Sequence, residues 1–441
     1  MHVLFINDST SSSNWGDRAA AVSLRTMIRQ SGGQISHVIT EDDFWHSRFE
    51  APSSRPLARA EDDRAREMLK RFVPPIILHA RRRVLRLDEG GPEQLIPQTW
   101  EDLEVAAERV CREQGYGWPS VLRAIADADV AVIHGASLHG HASTIIQRTA
   151  LFLTYVIKTR FGKRVVIANH TADFEGNSAL LRMAEHVYPL FDDVVYRDST
   201  SAARWASTFG GRFAADTAFW FEPAAKEVWA PLARRPTYFD VWPDTAAFDP
   251  SGPYLCVGGS SIFHERKDWD SVVDGYGLLI KHLQSVYSGT IVLTASAELD
   301  QPVFRLLAER FDLPLVGVTT PVQQVVDILG NADAYIGGRW HASIFALRGG
   351  TPLLALSSQT FKMQALAGMS GSSSGTFDAL DLRREAQAIG RQLSLVLEQG
   401  SDLRSRLRVW ADEMAENSWD NVAYLGRYQR EQGAADPAAA L

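Results

Sequence analysis

The sequence predicts an α/β protein of two doubly wound, Rossmann-like domains facing each other across a cleft. Three observations predict it. Short β-branched runs alternate with longer helical patterns along most of the chain, the signature of βαβ units and parallel sheets. The alternation falls into two series, separated by a stretch from Glu222 to Pro253 that holds six prolines and no periodicity. Finally, 441 residues exceed the roughly 250 to 300 at which a single core stops growing.

In the first series strands are expected at Val3 to Ile6, Ile35 to Ile39, Val130 to Ile133, Val165 to Ala168 and Val194 to Tyr196. Helices are expected at Arg18 to Gln30, Thr144 to Arg160, Ala179 to Tyr188 and Thr200 to Thr208. Between Phe44 and Trp118 the rhythm breaks into charged helical segments with six prolines, which reads as an insertion. The first domain is therefore assigned to 1–222, with the insertion at about 44–118 and a linker at 223–253. The second domain, 254–430, has strands at Tyr254 to Val257, Thr290 to Thr294, Leu315 to Val318, Ala334 to Ile336 and Leu353 to Leu356. Its helices fall near Asp270 to Val286, Val303 to Phe311, Val322 to Leu329, Ser343 to Arg348 and Phe361 to Leu366. Gly368 to Gly375 is small and polar and reads as a mobile loop, helices follow from Leu380 to about Tyr428, and the Ala-rich end, 431–441, reads as a disordered tail.

Composition excludes several function classes. Lys plus Arg number 45 against 53 Asp plus Glu, a net charge of −8, so no basic field exists to hold a nucleic acid. The two cysteines, Cys111 and Cys256, lie far apart, which argues against a disulfide framework or a zinc ribbon and fits a reducing compartment. Met1 to Asn7 reads as a first strand rather than a signal peptide, and the longest apolar run, Ala150 to Ile157, is far short of the roughly 20 residues of a bilayer span. The expectation is a soluble, cytoplasmic protein. The basic, apolar stretch His79 to Leu87 allows peripheral association with the inner face of a membrane, against the alternative of a solvated helix.

The most informative segment runs from Asn331 to Ser357. A buried strand ends in Gly337-Gly338, and Arg339 and His341 come where the next helix starts, which places both at a helix N-terminus suited to an anion. The alternative is that Arg339 pairs with a neighbouring carboxylate and His341 caps the helix. No G-x-G-x-x-G occurs after either first strand, which weakens a nicotinamide or flavin reading. The loop Gly258-Gly259-Ser260-Ser261 could still touch phosphate or sugar, and the polar loop Ser9 to Ser13 could close over a ligand.

Arg339-Trp340-His341, with Ala342 to Leu347 and Gly350-Thr351-Pro352 after it, resembles the signature of the polysaccharide pyruvyl transferase family. The resemblance extends to Asn14-Trp15-Gly16-Asp17, to Arg197-Asp198 with Ser201, to Asp216-Thr217-Ala218-Phe219, and to the stretch from Ser357 to Lys362. It implies a fold like that of two-domain glycosyltransferase-B enzymes and a transferase that moves a pyruvyl group from phosphoenolpyruvate to a sugar of a polysaccharide or lipid-linked glycan, as a cyclic ketal. It implies no cofactor and no metal. Arg339 and Arg197 would hold the carboxylate and phosphate, with Trp340, Ser343, Asn14 and Lys362 as further substrate-binding residues, and His341 would protonate the methylene carbon. Asp17 and Asp198 are the candidates for the base, although Asp17 is equally an N-cap and Asp198 equally an orienting partner of Arg197. Where the family shows a glycine run, this chain has His134-Gly135-Ala136-Ser137-Leu138-His139-Gly140-His141, which leaves metal binding, acceptor contact by His139 and plain loop structure open. Two other functions compete: a nucleotide-sugar-dependent glycosyltransferase on the same architecture, and a non-catalytic homologue that binds acidic sugars.

Overall fold

The computed structural model describes residues 1–41, 43, 96–113, 118–136, 144–174, 176–235, 238, 248–265, 268–372 and 375–428. Most of the insertion, the stretch His79 to Leu87, His139 and the tail lie outside the described residues. The first unit runs β1 (His2–Asp8), α1 (Trp15–Gln30), β2 (Gln34–Thr40), α2 (Leu103–Glu113), α3 (Trp118–Asp127), β3 (Val130–His134), α4 (Thr144–Phe161), β4 (Arg164–His170), α5 (Ser178–Val187), β5 (Asp193–Tyr196), α6 (Ser199–Phe209) and β6 (Arg212–Phe213). After α7 (Lys226–Ala233), the second runs β7 (Tyr254–Ser260), α8 (Trp269–Val286), β8 (Thr290–Thr294), α9 (Asp300–Phe311), β9 (Leu315–Val316), α10 (Val322–Gly330), β10 (Tyr335–Gly338), α11 (Trp340–Arg348), β11 (Leu353–Leu356), α12 (Lys362–Met369), β12 (Thr376–Phe377), α13 (Leu382–Glu398) and α14 (Gly400–Asn417).

Each unit is a six-stranded parallel sheet with flanking helices, in the orders β2-β1-β3-β4-β5-β6 and β12-β11-β10-β7-β8-β9. The order reverses between β1 and β3 in one sheet and between β7 and β10 in the other. Ligands of such sheets bind outside the carboxyl ends of the strands at these reversals. The reversal between β7 and β10 is close-packed. A Cβ on Gly259 at the end of β7 would lie 2.3 Å from a carboxylate oxygen of Asp300, and one on Gly338 at the end of β10 would lie 2.6 Å from the Ser260 hydroxyl. The Gly258-Gly259 pair is therefore a slot for Asp300 and neighbouring strands, not an open phosphate loop.

The two units are bolted together by the start of α1. Asn14 caps this helix by accepting from Gly16 N, and its buried face, Trp15, Ala19, Ala20, Leu24, Met27 and Ile28, recurs at helical spacing. Trp15 reaches the second unit, its Nε1 donating to Val318 O at 3.0 Å and its backbone N to Ser296 O at 3.1 Å. Arg18 adds Nη2 bonds to Val318 O and Thr320 O. Its Nη1 holds Ser12 O and Ser13 O, so the early serine loop is pinned as a turn. Trp15 and Ala19 belong to the same apolar cluster as Val325, Phe345 and Leu366, which makes one core continuous across the two units.

Three segments differ from the sequence expectation. The stretch 223–253 contains α7, whose Trp229 and Ala233 are buried in that shared core. Gly368 lies inside α12, and the polar segment after it leads into β12, which pairs with β11. At the other end, Val422 and Leu425 pack with Val3, Phe5 and Val132 on the first sheet, so the chain's last described residues return to the first unit instead of staying with the second. Among the described residues no helix is long and apolar enough to cross a membrane.

Candidate active site

The carboxyl ends of the two sheets bring four helix N-termini together, those of α1, α6, α11 and α12. Their aligned dipoles favour negative charge at this spot, and the N-termini of α11 and α12 carry no side-chain cap. The side chains of the site come from the residues at and just past the strand ends.

β5 ends in Tyr196, and Arg197 continues from it into the interior, with a fully buried side chain. Its Nε donates to Thr171 Oγ1 at 2.8 Å, Nη2 to Ala136 O at 2.9 Å and Nη1 to Asp216 Oδ2 at 3.0 Å, and Nη1 also meets His341 Nε2 at 3.3 Å. The Trp340 ring covers the guanidinium at 5.5 Å. Arg197 is thus an interior cation, each of whose nitrogens bonds protein, which counts against the expectation that it grips an anion directly.

Asp216 is the hub of this arrangement and was not among the residues given a role from the sequence. Besides Arg197, Asp216 Oδ2 accepts from Trp340 Nε1 at 2.9 Å and lies 3.4 Å from His341 Nε2, while Oδ1 accepts from Ala218 N at 2.9 Å and Asn169 Nδ2 at 3.4 Å. Burial alone would raise its pKa, but His341, Arg197 and these hydrogen bonds together hold it well below the usual carboxylate range. Asn169 sits at the end of β4 with a left-handed φ of 56°, and Asn7 at the end of β1 has a φ of 67°. Asn tolerates this region better than other non-glycine residues. There Asn7 holds His134 O at 2.7 Å and Asn169 accepts from Thr217 N at 3.0 Å.

Arg339, directly after β10, binds Asp300 through two parallel bonds, Nε to Oδ2 at 3.1 Å and Nη2 to Oδ1 at 2.6 Å. The carboxylate-pairing alternative describes this side chain, yet among the described residues Nη1 is bonded to nothing. α11 is buried on all sides. Accordingly Ser343 returns its hydroxyl to Arg339 O at 2.9 Å, a bond inside the helix, which corrects its assignment to substrate. His341 lies between Asp216 and the start of α1, where a Cβ on Gly16 would come within 1.9 Å of its Nδ1.

Asp198 is the N-cap of α6. Its oxygens accept from Ser201 N at 2.7 Å and Ser201 Oγ at 2.8 Å, and burial raises its pKa despite these bonds. Both oxygens are thus engaged in capping, the alternative to the base role. The cap of α1 is Asn14, which leaves Asp17 in the first turn, within electrostatic reach of Lys362. Lys362, the first residue of α12, is buried within electrostatic reach of Arg197, Asp17, Arg339 and Asp198. Burial first, then the Arg197 charge, pulls its ammonium down to about 7.

His134 and His170 line the floor of the first sheet. His170 Nε2 meets Tyr188 Oη at 2.6 Å, and His134 Nε2 lies 3.4 Å from Asn169 Nδ2. Burial pulls both imidazoles from 6.5 to about 3, so both are neutral in the fold. Between these values the unfolded chain binds protons that the folded one refuses, so stability falls as pH is lowered, by about 1.4 kcal/mol per unit for each histidine. Urea denaturation is expected to show about 4 kcal/mol less stability at pH 5 than at pH 7, and His170→Asn to remove about half of that difference. A pH-independent stability across this range would contradict the buried neutral assignment. Among the described residues no group of three or more His, Cys, Asp or Glu side chains is placed to hold a metal ion.

A sequence model of the family described as polysaccharide pyruvyl transferase matches residues 14–360, from the cap of α1 to the turn before Lys362. The chain belongs to this family. As a polysaccharide pyruvyl transferase family member it is a transferase. Comparison with curated proteins finds no match. Among solved structures it is similar to UDP-GlcNAc 2-epimerase from Neisseria meningitidis bound to UDP-GlcNAc, with 11% identity over 99% of this chain and 100% of that one and a TM-score of 0.52. It is also similar to a putative UDP-N-acetylglucosamine 2-epimerase from Listeria monocytogenes, at 10% identity, 98% and 97% coverage and a TM-score of 0.51. Arabidopsis thaliana UGT89C1 complexed with quercetin gives 12%, 97%, 98% and 0.50 in the same order. At these identities the likeness speaks for the fold, two Rossmann-like domains of glycosyltransferase-B type.

Proposed function

We propose that this pyruvyl transferase takes its pyruvyl group from phosphoenolpyruvate and sets it on two hydroxyls of a glycan as a cyclic ketal, releasing phosphate. The observation that supports this most is the placing of Arg339, Lys362 and His341 together at the apposed sheet ends, backed by helix N-termini. Arg339, steadied by Asp300, offers Nη1 to the donor's carboxylate, and Lys362 with the α12 N-terminus takes the phosphate. His341, held on its Nε2 side by Asp216, supplies the proton to the methylene carbon as the first acceptor hydroxyl bonds to the adjacent carbon. Asp17 accepts that hydroxyl's proton. The second hydroxyl then bonds to the same carbon as the carbon–oxygen bond to phosphate breaks, its proton passing to the His341 imidazole left neutral by the first step and the proton on Asp17 to the departing phosphate, giving ketal and inorganic phosphate. Arg197 and Trp340 act through Asp216 and do not touch substrate.

The test is phosphate release from phosphoenolpyruvate with a panel of glycans, with Arg339→Ala as the inactive control. Lys362 gives it a specific pH signature. Raising the pH through about 7 removes the ammonium charge in the free enzyme, so kcat/KM for phosphoenolpyruvate is expected to fall about tenfold per unit above that point. Lys362→Arg stays cationic throughout and is expected to flatten the profile. An identical profile in the two proteins would remove Lys362 from the donor site.

A further inference from the structure

We propose that the cleft between Asp173, Phe174 and the start of α5 in the first unit and the Ser358 to Phe361 turn of the second is the acceptor subsite, and that it takes a glycan at least two hexopyranose units long. The proposal rests on the pyruvyl-transfer reading above and names its second substrate. Two hollows adjoin there, of about 470 and 480 Å³, within the range of small-molecule sites. They share Phe174, Asn177 and Arg204, so they form one groove with two stations. Both walls lead back to the cationic cluster. The Ser358 to Phe361 turn runs directly into Lys362, and Thr171, which holds Arg197, stands two residues before Asp173 of the groove.

The lining has the chemistry of a sugar site. Asn177, Gln359 and Gln364 contribute neutral amides to the lining of the first hollow. Trp205 forms the end of the second. Its Nε1 is committed to Ala172 O at 3.2 Å and its ring stacks on Phe209 at 5.3 Å, which fixes the indole while leaving it partly exposed. A pyranose offers hydroxyls at its rim and C–H groups on its face, which match amides at one station and a fixed aromatic at the other. A nucleotide fits less well, because the one guanidinium of the groove, Arg204, lies over the Phe361 ring at 5.4 Å and no second cation accompanies it among the lining residues.

Calorimetric titration with p-nitrophenyl mono-, di- and trisaccharides of glucose, galactose and mannose, with UDP as a comparison, tests this. Disaccharides of at least one series are expected to bind about tenfold tighter than their monosaccharides, with little gain from a third unit. Trp205→Ala and the milder, surface-exposed Arg204→Gln are each expected to remove most of that gain, while Leu395→Ala on the exposed face of α13 leaves it unchanged. Affinity independent of length, a gain insensitive to both substitutions, binding of UDP alone, or no binding at all overturns the groove assignment. Phosphate release from phosphoenolpyruvate is read in the same samples: its absence alongside length-dependent binding defeats the donor reading and leaves the groove standing.

Discussion

Asp216→Ala is expected to lower folding stability by about 3 to 5 kcal/mol and to abolish phosphate release, because it strands a buried guanidinium. Arg197 and Asp216 are both fully enclosed, and Asp216 is the carboxylate that the Arg197 Nη1, the Trp340 indole and the His341 imidazole share. Removing it leaves a cation in the interior with only neutral acceptors, and frees the two side chains that bring the end of β5 and the start of α11 together. Cost and cause are separable. Arg197→Met combined with Asp216→Ala removes both charges and fills much of the arginine's volume, so most of the lost stability should return. Activity should not return, since His341 still lacks the group that holds its Nε2. Denaturant midpoints and phosphate release on the two single variants and the double decide this. A double variant as unstable as Asp216→Ala would mean that packing, not the stranded charge, sets the cost.

This hub marks the limit of what the amino-acid sequence discloses. The two sheets were legible because β-branched runs and helical patterns alternate almost without interruption, and the strands at 290–294 and 353–356 fall on the residues expected. The N-terminus of α11 was legible too, since two glycines ending a strand before Arg339 and His341 leave few other geometries. What periodicity cannot carry is the pairing of residues far apart in sequence. Arg339 meets Asp300 across 39 positions, and Trp340 meets Asp216 across 124. Asp216 stands in a short motif and caps the turn at Ala218, and its larger role needs the second unit in place. Arg197 erred in the same way: an arginine beside a strand end reads as an anion grip until its carboxylate is found. Ser343 and Asp198 bond the starts of their own helices, because small polar residues there serve the backbone before they serve a ligand, which spacing alone does not disclose.

Gly16→Ala is expected to reduce turnover by about 10² to 10⁴, as much as loss of a positioned proton donor, although no atom is removed from the site. In an isolated helix the change would stabilise by about 1 kcal/mol, since alanine is the better helix former and Gly16 is not in the left-handed region that demands glycine. Here the added methyl would stand 1.9 to 2.3 Å from Nδ1, Cγ and Cβ of His341. The neighbour that must yield is a ring held from behind by Asp216 and Arg197, in a shared core that also fixes Trp15 one residue before. Either the imidazole leaves its place or α1 lifts from the second unit, and both misalign the proton donor from Arg339 and Lys362. Combining the change with His341→Ala distinguishes this clash from a defect of the helix. If the clash is the cause, Gly16→Ala destabilises the wild type but stabilises the His341→Ala protein, and its effect on the residual rate vanishes there. A destabilisation of equal size in both backgrounds would place the fault in α1 itself and release His341 from the contact that sets its position.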